Sequence, residues 1–421
     1  MIVPSIDIMD GLAVQLVQGK TKVLEAGDPR PLAERFGRVG EVAVVDLDAA
    51  LGKGSNAAVI RDLLPLAKCR VGGGIRSVEA ATEWLDAGAA KVVLGTAATP
   101  EVLSALPKSR VIAALDAWEG DVVVKGWTEK TGRSVAQAMA ELEGLVDGFL
   151  VTFVEGEGME GGFPRDRVKE LVALARGARV TVAGGVTKAE EVGWLDRQGA
   201  DAQVGMALYK GTLGLADAFC GPLESDREDG LWPTVVADED GRVLGLVWSS
   251  RDSVTAALDE GRGIYHSRSR GLWRKGESSG SVQQLLSVSM DCDRDALLFR
   301  VRQQGSGFCH EGTWDCFDTS SGFGALERTI QARSLEPDGA SLTSRLLREP
   351  EFLEAKILEE AQEVVDAADS GRVVEEAADV MYFLSVLLAR EGKSLSDVAS
   401  ELDRRSLKVT RRQPSPAGGS K

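Results

Sequence analysis

The chain has 421 residues, too many for one ordinary domain, and its 43% hydrophobic content is ample for buried cores. A net charge of −16 argues against nucleic-acid binding, which needs a basic face to meet phosphate. No apolar run approaches the roughly 18 residues of a membrane span, and the opening MIVPSIDIMDG has no basic stretch leading into an apolar one. No membrane partner, no signal peptide and a cytoplasmic address are therefore expected.

Residues 1–222 alternate short apolar runs with helix-like stretches. The runs are IVPSID, VAVVDLD, CRVGG, KVVLG, RVIAALD, GFLVTF, RVTVAGG and AQVG. Eight strand–helix units in this length predict a parallel (β/α)8 TIM barrel, an α/β fold of roughly 200 to 250 residues. The segment also repeats itself. VGGGIRSVEAATEWLDAGAAKVVLGTA, from Val71, returns as VAGGVTKAEEVGWLDRQGADAQVGMA, from Val182, and VPSIDIMDG is echoed by IAALDAWEGD. An offset of roughly 110 residues implies two half-barrels about a pseudo-twofold axis.

Asp7 and Asp116 end equivalent strands of the two halves, on the face where such barrels keep their chemistry. Two carboxylates across a small pocket suit acid–base work, one ionised and one protonated. Glycine turns at Gly73, Gly74, Gly95, Gly184, Gly185 and Gly205 offer backbone N–H groups to phosphates. Taken singly, such glycines more often just let a strand turn into a helix, and such aspartates cap helices. Their twofold arrangement favours a substrate with a phosphate at each end.

PSIDIMDGLAVQLVQG, VGGGIR, AALD, the pair Gly126–Trp127 and VGMALYKG resemble the isomerase of histidine biosynthesis that converts ProFAR to PRFAR. The resemblance implies Asp7 as general base and Asp116 as general acid, Thr152 assisting, and Arg76 and Trp127 near the substrate. The chain departs from that family at Thr152–Gly158. One acidic position has become Phe153 and a basic one Gly156, while Glu157 stands where a second aspartate is usual.

Residues 223–320 predict a β-rich α+β domain. It opens with a hairpin in LWPTVVADEDGRVLGLVWSS and contains MDCDRDALLF. If the latter is a strand, Asp291, Asp293 and Asp295 share one face and Cys292 takes the other. On a straight strand the outer two would stand about 13 Å apart. One magnesium ion, with ligands at about 2.1 Å, then requires a bend, bridging water or a second ion. Cys292 has companions in GFCHEGTWDCF, namely Cys309 and Cys316, whereas Cys69 and Cys220 sit in apolar runs and read as core thiols. Three thiolates leave one corner of a tetrahedral zinc site open for water. Zinc and magnesium on opposite faces of a strand imply a partner subunit, so a homodimer is expected. Ser267, Arg268, Ser269, Arg270 and Lys275 form a cationic, hydroxyl-rich surface suited to a ribose phosphate, and His310 is a candidate proton shuttle.

GRGIYHSRSRGLWRKGESSGS, MDCDRDALLF and GFCHEGTWDCF resemble phosphoribosyl-AMP cyclohydrolase. That implies magnesium at Asp291, Asp293 and Asp295, and zinc at Cys292, Cys309 and Cys316, shared between subunits. His266 and Ser281 depart from the family's usual aromatic residue and asparagine.

A mixed connector, 321–340, leads to an all-helical domain at 341–412 and a polar tail, 413–421, expected to be disordered. The helices fall in EPEFLEAKILEEAQEVVDAADSG, RVVEEAADVMYFLSVLLAREGKS and LSDVASELDRRSL. The second is apolar nearly all round, which predicts burial, and buried acids on it need a cation. Glu359, Glu360, Glu363, Glu376 and Asp379 are spaced to share faces, and magnesium is the expected ligand. KILEEAQEVVDAA and EEAADVMYFLSVLL resemble phosphoribosyl-ATP pyrophosphohydrolase, a relative of the MazG-type nucleotide pyrophosphatases.

The three resemblances name consecutive steps, run in reverse chain order, and so predict a trifunctional histidine-biosynthesis enzyme acting on phosphoribosylated purine nucleotides. The alternative keeps the two hydrolases and makes the barrel an inert structural or dimerisation module. A third reading gives the barrel a related tryptophan-pathway isomerisation as well.

Overall fold

The computed structural model describes residues 1–19, 21–124, 127, 129–159, 161–317, 321–335, 341–367 and 371–410. Gly126, the 336–340 part of the connector and the predicted 413–421 tail lie outside them. The chain divides into two compact units. The first comprises Met1–Asp238 and Val243–Gly307, with the described residues from Leu407 onward; the second comprises Glu239–Arg242 and Phe308–Ser406.

In the first unit all eight predicted barrel strands form, as Ile2–Met9, Glu41–Asp46, Lys68–Gly72, Lys91–Leu94, Val111–Trp118, Gly148–Phe153, Arg179–Ala183 and Ala200–Val204. They pair in parallel, each with the next, and Ile2–Met9 against Ala200–Val204 closes the ring. The apolar runs are near-continuous because these strands are covered on both faces. At one end of the barrel, buried Arg70 donates to Thr181 at 3.0 Å and faces Asp201 at 3.5 Å, joining the third, seventh and eighth strands.

Two hairpins stand out from the ring: Leu12–Val17 with Thr21–Gly27, and Asp121–Val124 with Glu129–Ser134. They follow the first and fifth strands, so the pseudo-twofold extends to them. Each is entered from its barrel strand through a residue pair with both φ positive, Asp10–Gly11 and Glu119–Gly120. Such turns match the right-handed twist of the paired strands.

A six-stranded sheet completes the first unit, in the order Gly271–Arg274, Ile264–Ser267, Val243–Ser249, Trp232–Ala237, Leu297–Gln303, Gln283–Met290. The predicted hairpin is its Trp232–Ala237 and Val243–Ser249 pair. Barrel and sheet were expected as successive domains, yet they are tied together. Arg35 pairs with Asp259 at 2.8 Å, Arg38 donates to the Leu258 carbonyl at 2.8 Å, and Arg251 pairs with Asp217 at 3.2 Å. Leu407–Thr410, expected in the helical domain, also joins this unit: Arg110 donates to the Leu407 carbonyl at 2.9 Å, and the Val409 amide to Asp86 at 2.7 Å.

The second unit holds the three predicted helices, Pro350–Asp366, Val373–Arg390 and Leu395–Ser406. Two more precede them, Gly322–Leu335 and Leu342–Arg348, so the connector is more helical than expected. Ile330, Leu346, Leu353, Phe383 and Val386 form its core. The expectation that Val373–Arg390 is buried all round does not hold, since Val374 is 81% exposed, as is Leu358 at 73% on the preceding helix. Apolar periodicity identifies a face that avoids water without saying what covers it. Among the described residues no helix is long and apolar enough to cross a membrane.

Candidate functional sites

The barrel mouth gathers three carboxyl groups. Asp7 lies near the end of the first strand, while Asp116 on the fifth lies in register beside Thr152 on the sixth. Burial raises the Asp7 carboxyl from its ordinary value to about 7. Burial also raises Asp116, against hydrogen bonds from Trp127 and Thr152 that favour its ionised form. The altered loop supplies the third acid. After buried Phe153 the chain makes a short 3-10 turn, Val154–Gly156, and brings Glu157 back towards the mouth. Burial, then the charges of Asp7 and Asp116, raise Glu157 to about 7. Its carbonyl accepts from the Gln18 amide at 3.3 Å, which links the loop to the first hairpin. With Asp7 and Glu157 both raised to about 7, the mouth can hold carboxyl groups in protonated and ionised form side by side.

The glycine turns flank this mouth. A Cβ on Gly73 would lie 2.3 Å from the Asp46 carbonyl oxygen, and one on Gly185 2.0 Å from that of Gly162. Backbone packing therefore demands glycine there as firmly as a phosphate would. Gly74, Gly184 and Gly205 are similarly crowded, whereas a Cβ on Gly95 would meet nothing within 4 Å. The Arg76 guanidinium donates to the carbonyls of Ala49 at 3.2 Å and Ala50 at 3.1 Å, holding the short helical loop, Leu47–Leu51, after the second strand. Sequence reasoning missed the network behind that loop, in which buried Asn56 donates to Asp46 at 2.7 Å and to Asp48 at 2.9 Å.

In the sheet, residues 291–295 are a bend between Gln283–Met290 and Leu297–Gln303, not a strand. The predicted alternation of Asp291, Asp293 and Asp295 against Cys292 is thus corrected, and with it the geometric case for a partner subunit. Of the three ways to serve one ion, the bend is the one observed: the three aspartates place oxygens within 4.8 Å of one another. The Asp291 carboxylate accepts from the amides of Asp295 at 3.1 Å and Ala296 at 3.2 Å. Although desolvation opposes it, these bonds hold Asp291 below its ordinary value, while the charge of Asp293 raises Asp295. A tight oxygen cluster with mutual repulsion fits a hard divalent cation.

Ser267, Arg268, Ser269 and Arg270 form the tip between Ile264–Ser267 and Gly271–Arg274, with the two serine hydroxyls 3.3 Å apart. The half-buried Lys275 follows, its amide donating to the Gly263 carbonyl at 3.0 Å. Arg268 lies over the Trp248 ring at 5.8 Å and Arg270 over Trp273 at 5.6 Å, aromatic supports the sequence reading did not identify.

Cys292 lies in the first unit, and Cys309 and Cys316 belong to the second. Cys309 and Cys316 sit on a loop closed by Phe308 donating to the Trp314 carbonyl at 2.8 Å. The Glu311 amide, the Thr313 hydroxyl and Cys316 lower the Cys309 thiol towards thiolate, the form a zinc ligand takes. His310 Nδ1 is 3.9 Å from Cys309 Sγ. Asp315, overlooked in the sequence, is buried at the base of this loop, 3.1 Å from Arg242.

On the helices, Glu360, Glu363 and Glu376 place oxygens within 4.8 Å of one another, and Glu360 and Glu376 are buried. The charge of Glu360 is the main cause raising Glu363. Lys356 pairs with Glu360 at 2.8 Å and Arg372 with Glu376 at 3.0 Å. Glu359 and Asp379, predicted as further ligands, are exposed and stand outside the cluster, Glu359 pairing with Lys356 at 2.9 Å.

Three family models match in chain order. That described as histidine biosynthesis protein covers residues 1–214, that of phosphoribosyl-AMP cyclohydrolase 245–318, and that of phosphoribosyl-ATP pyrophosphohydrolase 323–406. An imidazole-4-carboxamide isomerase of Methanosphaerula palustris, whose name carries two phosphoribosyl groups, is 38% identical over 229 residues, 51% of this chain and 97% of its own. A histidine biosynthesis bifunctional protein of Schizosaccharomyces pombe is 47% identical over 201 residues, 48% of each chain. A histidine biosynthesis trifunctional protein of Neurospora crassa is 33% identical over 346 residues, 80% of this chain and 37% of its own. The match with each of these two fungal relatives thus spans less than half of the relative's length. With half its length under one family model and a relative matched almost end to end, the chain belongs to the histidine biosynthesis protein family.

Proposed function

We propose that this chain catalyses three consecutive steps: release of pyrophosphate from phosphoribosyl-ATP, opening of the purine ring of phosphoribosyl-AMP, and isomerisation of the resulting ProFAR to PRFAR. The observation that carries the reading is that each family-matched stretch has its own constellation of acids or thiols. At the barrel, Asp7 takes a proton from the substrate carbon while Asp116, supported by Thr152 and Trp127, gives one to the opening sugar oxygen. The glycine turns flanking the mouth bind a phosphate at each end. In the cyclohydrolase, Arg268, Arg270 and Lys275 bind the ribose phosphate, and His310 moves a proton beside the thiolates. When bound, zinc at Cys292, Cys309 and Cys316 would acidify a water, and magnesium at Asp291, Asp293 and Asp295 would neutralise substrate charge. We take the zinc set to be completed across a homodimer. On the helices Glu360, Glu363 and Glu376 would hold magnesium, which when bound would neutralise the triphosphate, with Lys356 on phosphate.

Purified protein supplied with phosphoribosyl-ATP and magnesium is expected to form PRFAR, with bound zinc measured in the same sample. Phosphoribosyl-AMP opened to ProFAR, with ProFAR left unconverted, would establish instead the inert-barrel alternative that Phe153 and Gly156 motivate. Glu376→Gln is expected to slow pyrophosphate release about 100-fold and to raise the magnesium needed for half-maximal rate. Ring opening of added phosphoribosyl-AMP should be unaffected, and two coupled assays on one sample check both.

A further inference from the structure

Arg294, the one basic residue inside the acidic bend, carries a φ of +68°. That left-handed conformation is disfavoured for any side chain with a Cβ and is usually left to Gly or Asn. What holds Arg294 there comes from the barrel. Its Nε donates to Asp196 at 2.9 Å and its Nη2 to the same carboxylate at 3.3 Å, while Nη1 donates to the Asp291 carbonyl. The Arg294 carbonyl in turn accepts from the Glu224 amide at 2.9 Å. Asp196 sits on Ala189–Arg197, the helix that follows the Gly184–Gly185 turn of the barrel. Its side chain is only 8% exposed, and it also meets the Met1 ammonium at 2.9 Å and Arg179 at 3.7 Å. A forked, two-point ion pair fixes a guanidinium in direction as well as place.

We propose that Asp196 is a positioning residue for the acidic bend: by locking Arg294 in its left-handed conformation, the barrel keeps Asp291, Asp293 and Asp295 within reach of one cation. Without the lock Arg294 relaxes to an ordinary φ, the peptides on either side of it turn, and the hydrogen bonds that the Asp295 and Ala296 amides donate to the Asp291 carboxylate are lost. The barrel is then part of the ring-opening site without touching its substrate. The inference rests on reading those aspartates as metal ligands, but its first test needs no metal.

Hydrogen exchange of the Asp295 and Ala296 amides, followed in the full chain under chelator, reads the bend directly. Asp196→Ala and Arg294→Ala are each expected to speed that exchange at least about tenfold, since both leave a Cβ-bearing residue in a disfavoured conformation with no lock. Arg294→Gly should exchange like the parent, and Asp196→Ala should be silent in that background. Manganese titration on a Glu363→Gln, Glu376→Gln background, which removes the helical cluster, should show affinity falling about tenfold in the same two variants and recovering with glycine. Arg294→Ala behaving like Arg294→Gly would overturn the proposal, as would Asp196→Ala speeding exchange equally in the Arg294→Gly background. Faster exchange in the two variants, with a parent that binds no manganese at the bend, would retain the positioning role and remove the metal reading.

Discussion

Asp7→Asn is expected to lower the isomerisation rate about a thousandfold or more, and to leave ring opening and pyrophosphate release at their parent rates. Amide and carboxyl groups have nearly the same shape, so the loss reports on the proton and not on packing. The parent's pH dependence follows from the burial that raises Asp7 to about 7. As a base, Asp7 works only when ionised, so the rate should climb as pH rises through that value. Stability runs the other way. The native carboxyl keeps its proton up to about 7, whereas the unfolded one loses it near 3.8. Between those values the native state binds more protons, so the barrel loses stability as pH rises through the window and is level above it. Asp7→Asn should flatten that slope, leaving the share due to Glu157, which burial and its two acidic neighbours also raise to about 7. Chemical denaturation from pH 4 to 8, set beside the rate profile, checks both signs. A pH profile left in place by Asp7→Asn would move the role of base to another carboxyl.

How far the sequence discloses this molecule depends on whether a feature is local. The eight barrel strands are legible because each is a short, doubly buried apolar run, and because the half-barrel repeat checks each assignment against another. The turns that lead into the two extra hairpins were also within reach, since Asp10–Gly11 and Glu119–Gly120 put a glycine at the second position of a tight turn. The acidic bend was misread because alternating aspartates mimic a strand, and because a left-handed residue written as arginine carries no glycine signal. Glu360, Glu363 and Glu376 could be proposed from helical spacing alone, yet nothing in that spacing separates them from Glu359 and Asp379. Asp196 and Asp315 lie beyond such reasoning: their arginine partners are 98 and 73 positions away, and only the folded chain brings each pair together.

The second large effect concerns the thiols. Cys292→Ser, Cys309→Ser and Cys316→Ser should each abolish ring opening and lose zinc, because an open tetrahedral site with two protein ligands holds the ion poorly. Cys309 and Cys316 already act as a pair, with the Glu311 amide and the Thr313 hydroxyl drawing the Cys309 thiol down. What a single variant cannot say is which chain gives the third sulfur. Mixed dimers can. If Cys292 serves the neighbouring subunit's pair, a dimer of one Cys292→Ser chain and one Cys309→Ser chain has one site carrying both lesions and one carrying none. Random pairing of the two inactive variants then restores ring opening to about a quarter of the parent's specific activity, with zinc returning in proportion. If all three sulfurs come from one chain, every site in the mixture is damaged and nothing returns. Cys309→Ser mixed with Cys316→Ser is the internal control, since both lesions fall on the same side of the site and no arrangement of subunits can rescue it. Activity recovered in the first mixture and absent from the second would place the third ligand on the partner; absence from both would place it within the chain and retire the shared-zinc dimer.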